Sequence, residues 1–148
     1  MDALAGNKVF LRIPSKPEYV GIVRLAISGI ANRLRFSYED TEDLKLAVAE
    51  ACNSAIHHAK YIDDILVDCE VKADMIIITV KDSGKGTDKY KEKVLPESSE
   101  NDEKMGLFLI ETLMDSVEHR IEPHGGLFIR MVKKLTKGET IERQSSHP

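Results

Sequence analysis

The sequence predicts an α/β fold, a two-layer sandwich in which a mixed, mainly antiparallel sheet is covered on one face by helices. Residues alternate in the way typical of strands at 9–13 and 65–71, and a strongly apolar run occurs at 75–82. Two further strands are predicted at 117–122 and 127–134, joined as a hairpin through a turn with two glycines. Helical periodicity occurs in three longer segments, 17–34, 37–59 and 106–117. Short turns between the later strands favour antiparallel pairs, and the helices then cover one side of the sheet.

The composition is that of one globular domain with a real core. The chain has 148 residues, of which 42% are hydrophobic and 31% charged. We expect residues 1–135 to form the domain and residues 136–148 a polar C-terminal tail. We expect a cytoplasmic protein without membrane contact, because no long apolar run and no N-terminal signal pattern is present. A net charge of −4 argues against non-specific nucleic-acid binding and favours protein or small-molecule partners.

The first strand and the first helix come in the opening quarter of the chain. The strand at 9–13 ends at Pro14, because proline cannot donate to a sheet ladder. Pro17 suits a helix start, and an inward apolar stripe follows at Val20, Val23, Ile27, Ile30 and Leu34. Gly21 and Gly29 weaken this helix intrinsically, so we expect them to serve packing by letting another backbone approach closely.

The second helix carries the most informative stretch of the chain. Ser37 is a suitable N-cap, and the helix continues to about Ala59 with an inward stripe at Leu44, Ala47, Val48, Ala51 and Ala55. Glu50 is out of place on this mostly apolar helix, since a buried acid is costly without a partner or a function. Asn53 and Ser54 follow it by three and four residues and therefore flank the same face.

Four side chains with metal-binding chemistry do not form a metal site by their spacing. His57 and His58 end the second helix, where the helix dipole stabilises a cation. Neighbouring residues diverge by about 100° on a helix, which makes a poor chelating pair. Cys52 and Cys69 lie in predicted core elements without metal-ligand spacing, so we expect buried, reduced thiols.

A glycine-containing turn and a charged segment follow the central strand. The turn at 82–86 contains Gly84 and Gly86, which would let backbone approach a flat ligand. Residues 87–104 are charged and almost without core positions, so we predict a mobile surface loop, which is uncommon unless it covers a site. Gly106 then opens the third helix, whose unpaired N–H groups and dipole would suit a phosphate.

These segments together resemble a known family, the bacterial anti-sigma factors that are also serine-protein kinases, and in particular the anti-sigma-B kinases of the general stress response. The family lies within the histidine kinase-like (GHKL) ATPase superfamily. Residues 17–34, 38–52 and 105–117 carry the resemblance, which extends from Ile13 to Lys134. It implies a Bergerat-type ATP-binding fold and an ATP-dependent protein serine kinase.

The resemblance also implies roles for individual residues. Glu50 matches the family's general base, which takes the proton of the substrate serine or orients its hydroxyl. Asp82 matches the aspartate that hydrogen-bonds the amino group of adenine, and residues 87–104 match the ATP lid. The other nucleotide-binding positions that the resemblance implies are Gly84, Gly86, Lys104, Gly106 and Leu107.

The sequence departs from the family at the magnesium ligand. The family has an asparagine four residues after the acid, whereas this chain has Ser54 there and Asn53 one position earlier. A serine hydroxyl can ligate Mg²⁺, as in P-loop proteins, so Ser54 and Asn53 are both candidate ligands. Three interpretations therefore stay open: an active kinase, a binding module that only sequesters its partner, and an inert sandwich whose motifs are inherited turns.

The partners follow from the resemblance as well. They are a sigma factor, an anti-anti-sigma protein that is phosphorylated on serine, and a second copy of the chain in a homodimer. The helix at 18–34 would supply the dimer and sigma-binding surface, with Arg24 and Arg33 as exposed contacts. An ordinary solvated face remains an equal alternative for these two arginines.

Overall fold

A computed structural model of the chain describes residues 6–59, 64–83, 98–123 and 126–135; within 98–104 the description covers the backbone only. Its strands are β1 (Lys8–Ile13), β2 (Ile65–Val71), β3 (Met75–Asp82), β4 (Ser116–Ile121) and β5 (Leu127–Lys134). Its helices are α1 (Val20–Arg33), α2 (Tyr38–Ala59) and α3 (Ser98–Leu113), with a 3-10 turn at Pro17–Tyr19 before α1.

The strands form one sheet in the order β1-β2-β3-β5-β4. All four pairings among the described strands are antiparallel, with Leu11 opposite Val67, for example, and Ile78 opposite Met131. The two-layer prediction is confirmed, and the pairing is more regular than the mixed sheet that we expected. Short turns join β2 to β3 and β4 to β5, and such connections produce antiparallel neighbours.

The core lies between the sheet and the helices. Alternate residues of β2, β3 and β5 face the helices, including Ile65, Val67, Ile76, Ile78, Ile129 and Met131. Of the predicted α1 stripe, Val20, Val23, Ile27 and Leu34 are buried, whereas Ile30 is only partly buried and Ala31 is in the core instead. The predicted α2 stripe is buried at all its positions, which are Leu44, Ala47, Val48, Ala51 and Ala55. The N-cap prediction for α2 is confirmed, since Ser37 Oγ accepts a hydrogen bond from the N–H of Asp40 at 3.0 Å.

Gly21 and Gly29 do not have the packing role that we expected within this chain. Both are exposed on the outer side of α1, and a Cβ at either position would meet nothing within 4 Å. The inward stripe of α1 starts at Val20 and Val23, so the helical period turns these glycines away from the core.

Helix α3 differs from the prediction at both ends. It begins at Ser98, so residues 98–104 are helical rather than part of a loop, and Gly106 does not open it. The sequence of 98–104 is polar and lacks an apolar stripe, but serine and acidic residues are well suited to a helix N-terminus, which needs no core contact. The helix ends at Leu113, and Val117 lies in β4 instead.

Some predicted segments lie outside the described residues, namely 84–97 with Gly84 and Gly86, and the C-terminal segment 136–148. In the parts of the chain that are described, no helix combines the length and the apolar character that crossing a bilayer requires.

Candidate active site

Helix α2 presents a row of three polar side chains, Glu50, Ser54 and His58, at intervals of four residues. All three residues are only partly buried, although the stripe beside them is in the core. Positions four apart lie above one another on a helix, and eight residues of rise span about 12 Å. The row therefore connects two places on the molecule, one at each end.

At the first end, Gly106 of α3 packs against Glu50 and Ser54. A Cβ on the buried Gly106 would lie 3.1 Å from Oε1 of Glu50 and 3.6 Å from Oγ of Ser54. A side chain at this position would require Glu50 or the helix backbone to shift by a few tenths of an ångström. The glycine thus lets the backbone of α3 approach the carboxylate and the hydroxyl of α2.

The position of Gly106 corrects the prediction that it offers a free helix N-terminus. Only the first four N–H groups of a helix lack an intrahelical partner, and Gly106 lies well beyond them in Ser98–Leu113. In this structure the residue contributes close approach rather than an unpaired donor. Leu107, the next residue, is partly buried.

At the second end, Asp82 terminates β3 and points toward the helices. The alternation of the strand puts it on the same face as Ile76, Ile78 and Val80, and its side chain is fully buried. Its Oδ2 accepts a hydrogen bond from the N–H of Leu127 at 3.0 Å and lies 3.2 Å from Nδ1 of His58. A buried carboxylate needs such donors because it has lost its water.

The remaining predicted site residues lie in different settings. Asn53 is exposed, while Ser54 lies in the row beside Glu50. The arginines Arg24 and Arg33 are exposed on α1. Gly84, Gly86 and the side chain of Lys104 lie outside the described residues.

The two cysteines are buried thiols, as predicted. Burial raises the pKa of Cys52 to about 12, and burial together with the charge of Asp68 raises the pKa of Cys69 to about 12. Both side chains are therefore neutral near pH 7 and are not nucleophiles. Within the described residues, no group of three or more His, Cys, Asp or Glu side chains is placed to hold a metal ion.

The contact of His58 with Asp82 was not predicted from the sequence. We had assigned His58 to the dipole at the end of α2, although it follows Ser54 by four residues as Ser54 follows Glu50. That spacing indicates that His58 lies on the same face of α2 as Glu50 and Ser54. The contact itself joins residues that are 24 positions apart, and only the packing of α2 on β3 brings them together.

The arrangement suits an extended ligand that carries a hydrogen-bond donor at one end and a reacting group at the other. Asp82 offers a buried acceptor at one end of the row. Glu50 offers a carboxylate at the other end, with the hydroxyl of Ser54 beside it, and carboxylate and hydroxyl oxygens can bind Mg²⁺ or accept a proton.

The family model and the relatives that match this chain indicate the same family. Residues 13–133 match the model of the histidine kinase-like ATPase domain. Serine-protein kinase RsbW of Bacillus licheniformis is 41% identical, with 97% of this chain and 98% of that protein covered. The proteins of the same name from Bacillus subtilis and Listeria monocytogenes are 35% and 40% identical, with 90% and 95% of their lengths covered.

Solved structures agree with the fold. The RsbU and RsbW domains of Rv1364c from Mycobacterium tuberculosis match with a TM-score of 0.65 and 15% identity, covering 87% of this chain and 32% of that longer one. The SiaB–SiaC complex of Pseudomonas aeruginosa contains a chain that matches with a TM-score of 0.60 and 9% identity, covering 84% of this chain and 88% of that one.

Proposed function

The chain belongs to the histidine kinase-like ATPase family, among the RsbW serine-protein kinases, and on this premise we propose that it is an anti-sigma factor that phosphorylates a partner protein on serine with ATP. One observation carries the catalytic part of the proposal. A single row on α2 joins the carboxylate and hydroxyl beside Gly106 to the buried Asp82. Base recognition and phosphoryl transfer thus have residues at a separation that an extended nucleoside triphosphate can span.

The adenine end of the proposed site is Asp82. Its carboxylate can only accept hydrogen bonds when it is ionised, and the amino group of adenine can donate one. Because the side chain is fully buried, a ligand that presents an acceptor there faces a desolvated carboxylate that cannot donate to it, which is the basis of discrimination. Gly84 and Gly86 would lie beside the base, as the family resemblance implies.

The phosphate end of the proposed site is Glu50 with its neighbours. Glu50 takes the proton of the substrate serine, whose oxygen then bonds to the γ-phosphorus while the bond to the ADP leaving group breaks. Ser54 is the better placed Mg²⁺ ligand, because it lies beside Glu50 whereas Asn53 is exposed. Bound Mg²⁺ would neutralise phosphate charge, and Lys104, Gly106 and Leu107 would line the phosphates.

The protein partners of the proposal are a sigma factor and an anti-anti-sigma protein, which make the chain a regulator of transcription in the stress response. Arg24 and Arg33 are exposed on α1, and Ile22 and Leu25 on the same helix are 51% and 75% exposed. Exposed apolar and cationic side chains on one helix are typical of a protein-binding surface. The same helix would also contribute to a homodimer.

A second candidate function is sequestration of the sigma factor without phosphoryl transfer. Ser54 favours it, because the hydroxyl of serine has a shorter reach than the amide oxygen of the asparagine that the family places there. The partner surface on α1 does not depend on this residue. In both functions the chain binds the sigma factor, but only the kinase transfers the γ-phosphoryl group of ATP to a partner protein.

The first experiment measures thermal stabilisation by ATP with and without Mg²⁺, using Asp82→Asn as the matched variant. We expect ATP to raise the melting temperature increasingly with its concentration, and Asp82→Asn to reduce this stabilisation. A chain that millimolar ATP does not stabilise would refute the kinase proposal and leave sequestration. Incubation with labelled ATP and the anti-anti-sigma protein then tests transfer, with Glu50→Gln as the negative control.

The variant Ser54→Asn tests the assignment of the magnesium ligand. It restores an amide oxygen at the family position, so we expect faster Mg²⁺-dependent phosphoryl transfer, by roughly tenfold for one improved ligand. Transfer rates over a Mg²⁺ titration provide the measurement. An unchanged or slower rate with intact folding would show that this position does not ligate the metal.

A further inference from the structure

Among the described residues, nitrogen atoms from two other elements of the fold lie within hydrogen-bond distance of the buried Asp82 carboxylate. Leu127 N–H comes from β5 and His58 Nδ1 from α2, and both are directed at the same oxygen, Oδ2. Rotation of an aspartate carboxylate about its last torsion is otherwise soft. Two donors on one oxygen therefore set the orientation of the carboxylate plane.

We propose that His58 is a positioning residue for base recognition, which donates Nδ1–H to Oδ2 of Asp82 and holds the carboxylate in the orientation that accepts the amino group of a 6-aminopurine. This inference rests on the proposed function of Asp82 and extends it to purine selectivity. A 6-oxopurine presents an acceptor at the corresponding place, and two acceptors repel each other.

The setting of His58 distinguishes this role from a simple cation at the end of a helix. A dipole-stabilising cation needs only to lie near the last carbonyls and is usually solvated. The side chain of His58 is instead 10% exposed and turned toward the sheet, in contact with a carboxylate that is fully buried. Its neighbour His57 differs, because its Nε2 is buried without a hydrogen-bond partner among the described residues.

The test measures dissociation constants for ATP and ITP by calorimetry, so that it does not depend on phosphoryl transfer. His58→Ala removes the donor, and we expect ATP binding to weaken about tenfold while ITP binding changes little, because a hydrogen bond to a charged group is lost or misdirected. His58→Asn places an amide N–H near the position of Nδ1 and should keep the wild-type ratio. His58→Gln moves the donor to the position of Nε2 and should lose it.

His119→Ala, at an exposed position on β4, is the matched control and should leave both constants unchanged. If His58→Ala does not fold, the comparison of His58→Asn with His58→Gln decides the matter. An ATP-to-ITP ratio that is the same in all folded His58 variants would overturn the inference alone. A wild-type chain that does not prefer ATP to ITP would overturn the assignment of Asp82 and the inference with it.

Discussion

Gly106 is a residue at which α3 closely approaches α2 in the candidate site. Its Cα faces Oε1 of Glu50 and Oγ of Ser54, so the position of the carboxylate depends on the absence of a side chain across from it. Shifts of a few tenths of an ångström at Gly106 would change the position of the Glu50 carboxylate. A Cβ at 3.1 Å from an oxygen is closer than ordinary van der Waals contact, so either Glu50 or the backbone of α3 would have to move.

Gly106→Ala should therefore displace Glu50 and slow phosphoryl transfer at least tenfold, since small misplacements of a reacting group are costly. Alanine favours a helix over glycine by about 1 kcal/mol, and overpacking costs about 1–3 kcal/mol, so overall stability should change little or fall. Transfer rates and urea denaturation provide the two measurements.

The matched control for stability is Gly29→Ala, because a Cβ there meets open space on α1. It should raise the free energy of unfolding by up to about 1 kcal/mol. If Gly106→Ala stabilises the chain as much as Gly29→Ala and transfers phosphate at the wild-type rate, the close approach does not constrain Glu50.

At the scale of elements, Lys133 joins three parts of the fold. From β5 its Nζ donates a hydrogen bond to the carbonyl oxygen of Leu113 at 2.7 Å, at the end of α3. The same atom lies 3.7 Å from carboxylate oxygens of Asp40 and Asp43 in the first turns of α2. At the C-terminus of α3 the cation stabilises the helix dipole, whereas at the start of α2 it pairs with the acids that stabilise that helix N-terminus.

Lys133→Met should lower the free energy of unfolding by about 1–3 kcal/mol, because a hydrogen bond from a charged donor is lost and two partly buried acids lose their cation. Urea denaturation measures this, and added salt should reduce the difference from wild type only in part, since the side chain is largely buried. Lys134→Met, at the exposed neighbouring position, is the control and should have little effect. Equal losses in both variants would contradict the role of Lys133.

At the scale of the whole molecule, one core between a single sheet and its helices holds both thiols. Cys52 comes from α2 and Cys69 from β2, and each is almost inaccessible to solvent. Their pKa values of about 12 in the folded chain lie above the ordinary value of 9.0. Folding therefore opposes the loss of either proton, which links stability to alkaline pH.

The direction of these two pKa shifts predicts how the free energy of unfolding changes above about pH 9. The contribution of the thiols to stability is complete below about pH 9 and is lost as pH rises toward 12, because the unfolded chain releases these protons first. One pH unit above 9.0 the loss is about 1.4 kcal/mol for each thiol. Urea denaturation from pH 7 to 11 measures it. In a Cys52→Ala, Cys69→Ala double variant the free energy of unfolding should fall less steeply with pH above 9. An equally steep fall would refute the contribution of the two thiols.

Much of the fold was predictable because strands and helices have local signals. Alternation located β1 and β2, the apolar run located β3, and the hairpin located β4 and β5; the stripes located α1 and α2, and Ser37 marked where α2 begins. The start of α3 was missed because a polar helix end has no apolar period to detect. The outward direction of Gly21 and Gly29 could have been taken from the period of α1, since they do not share its stripe.

The sequence by itself determined the fold class and the residue types that the family resemblance singles out, including Glu50 and Asp82. Only the tertiary structure decided that α2 brings Glu50 and Ser54 against Gly106 and His58 against Asp82. The physical reason is the range of the forces involved. Periodicity and capping act within one or two helical turns, whereas these contacts join distant parts of the chain and exist because burial of the apolar stripes packs α2 against both the sheet and α3.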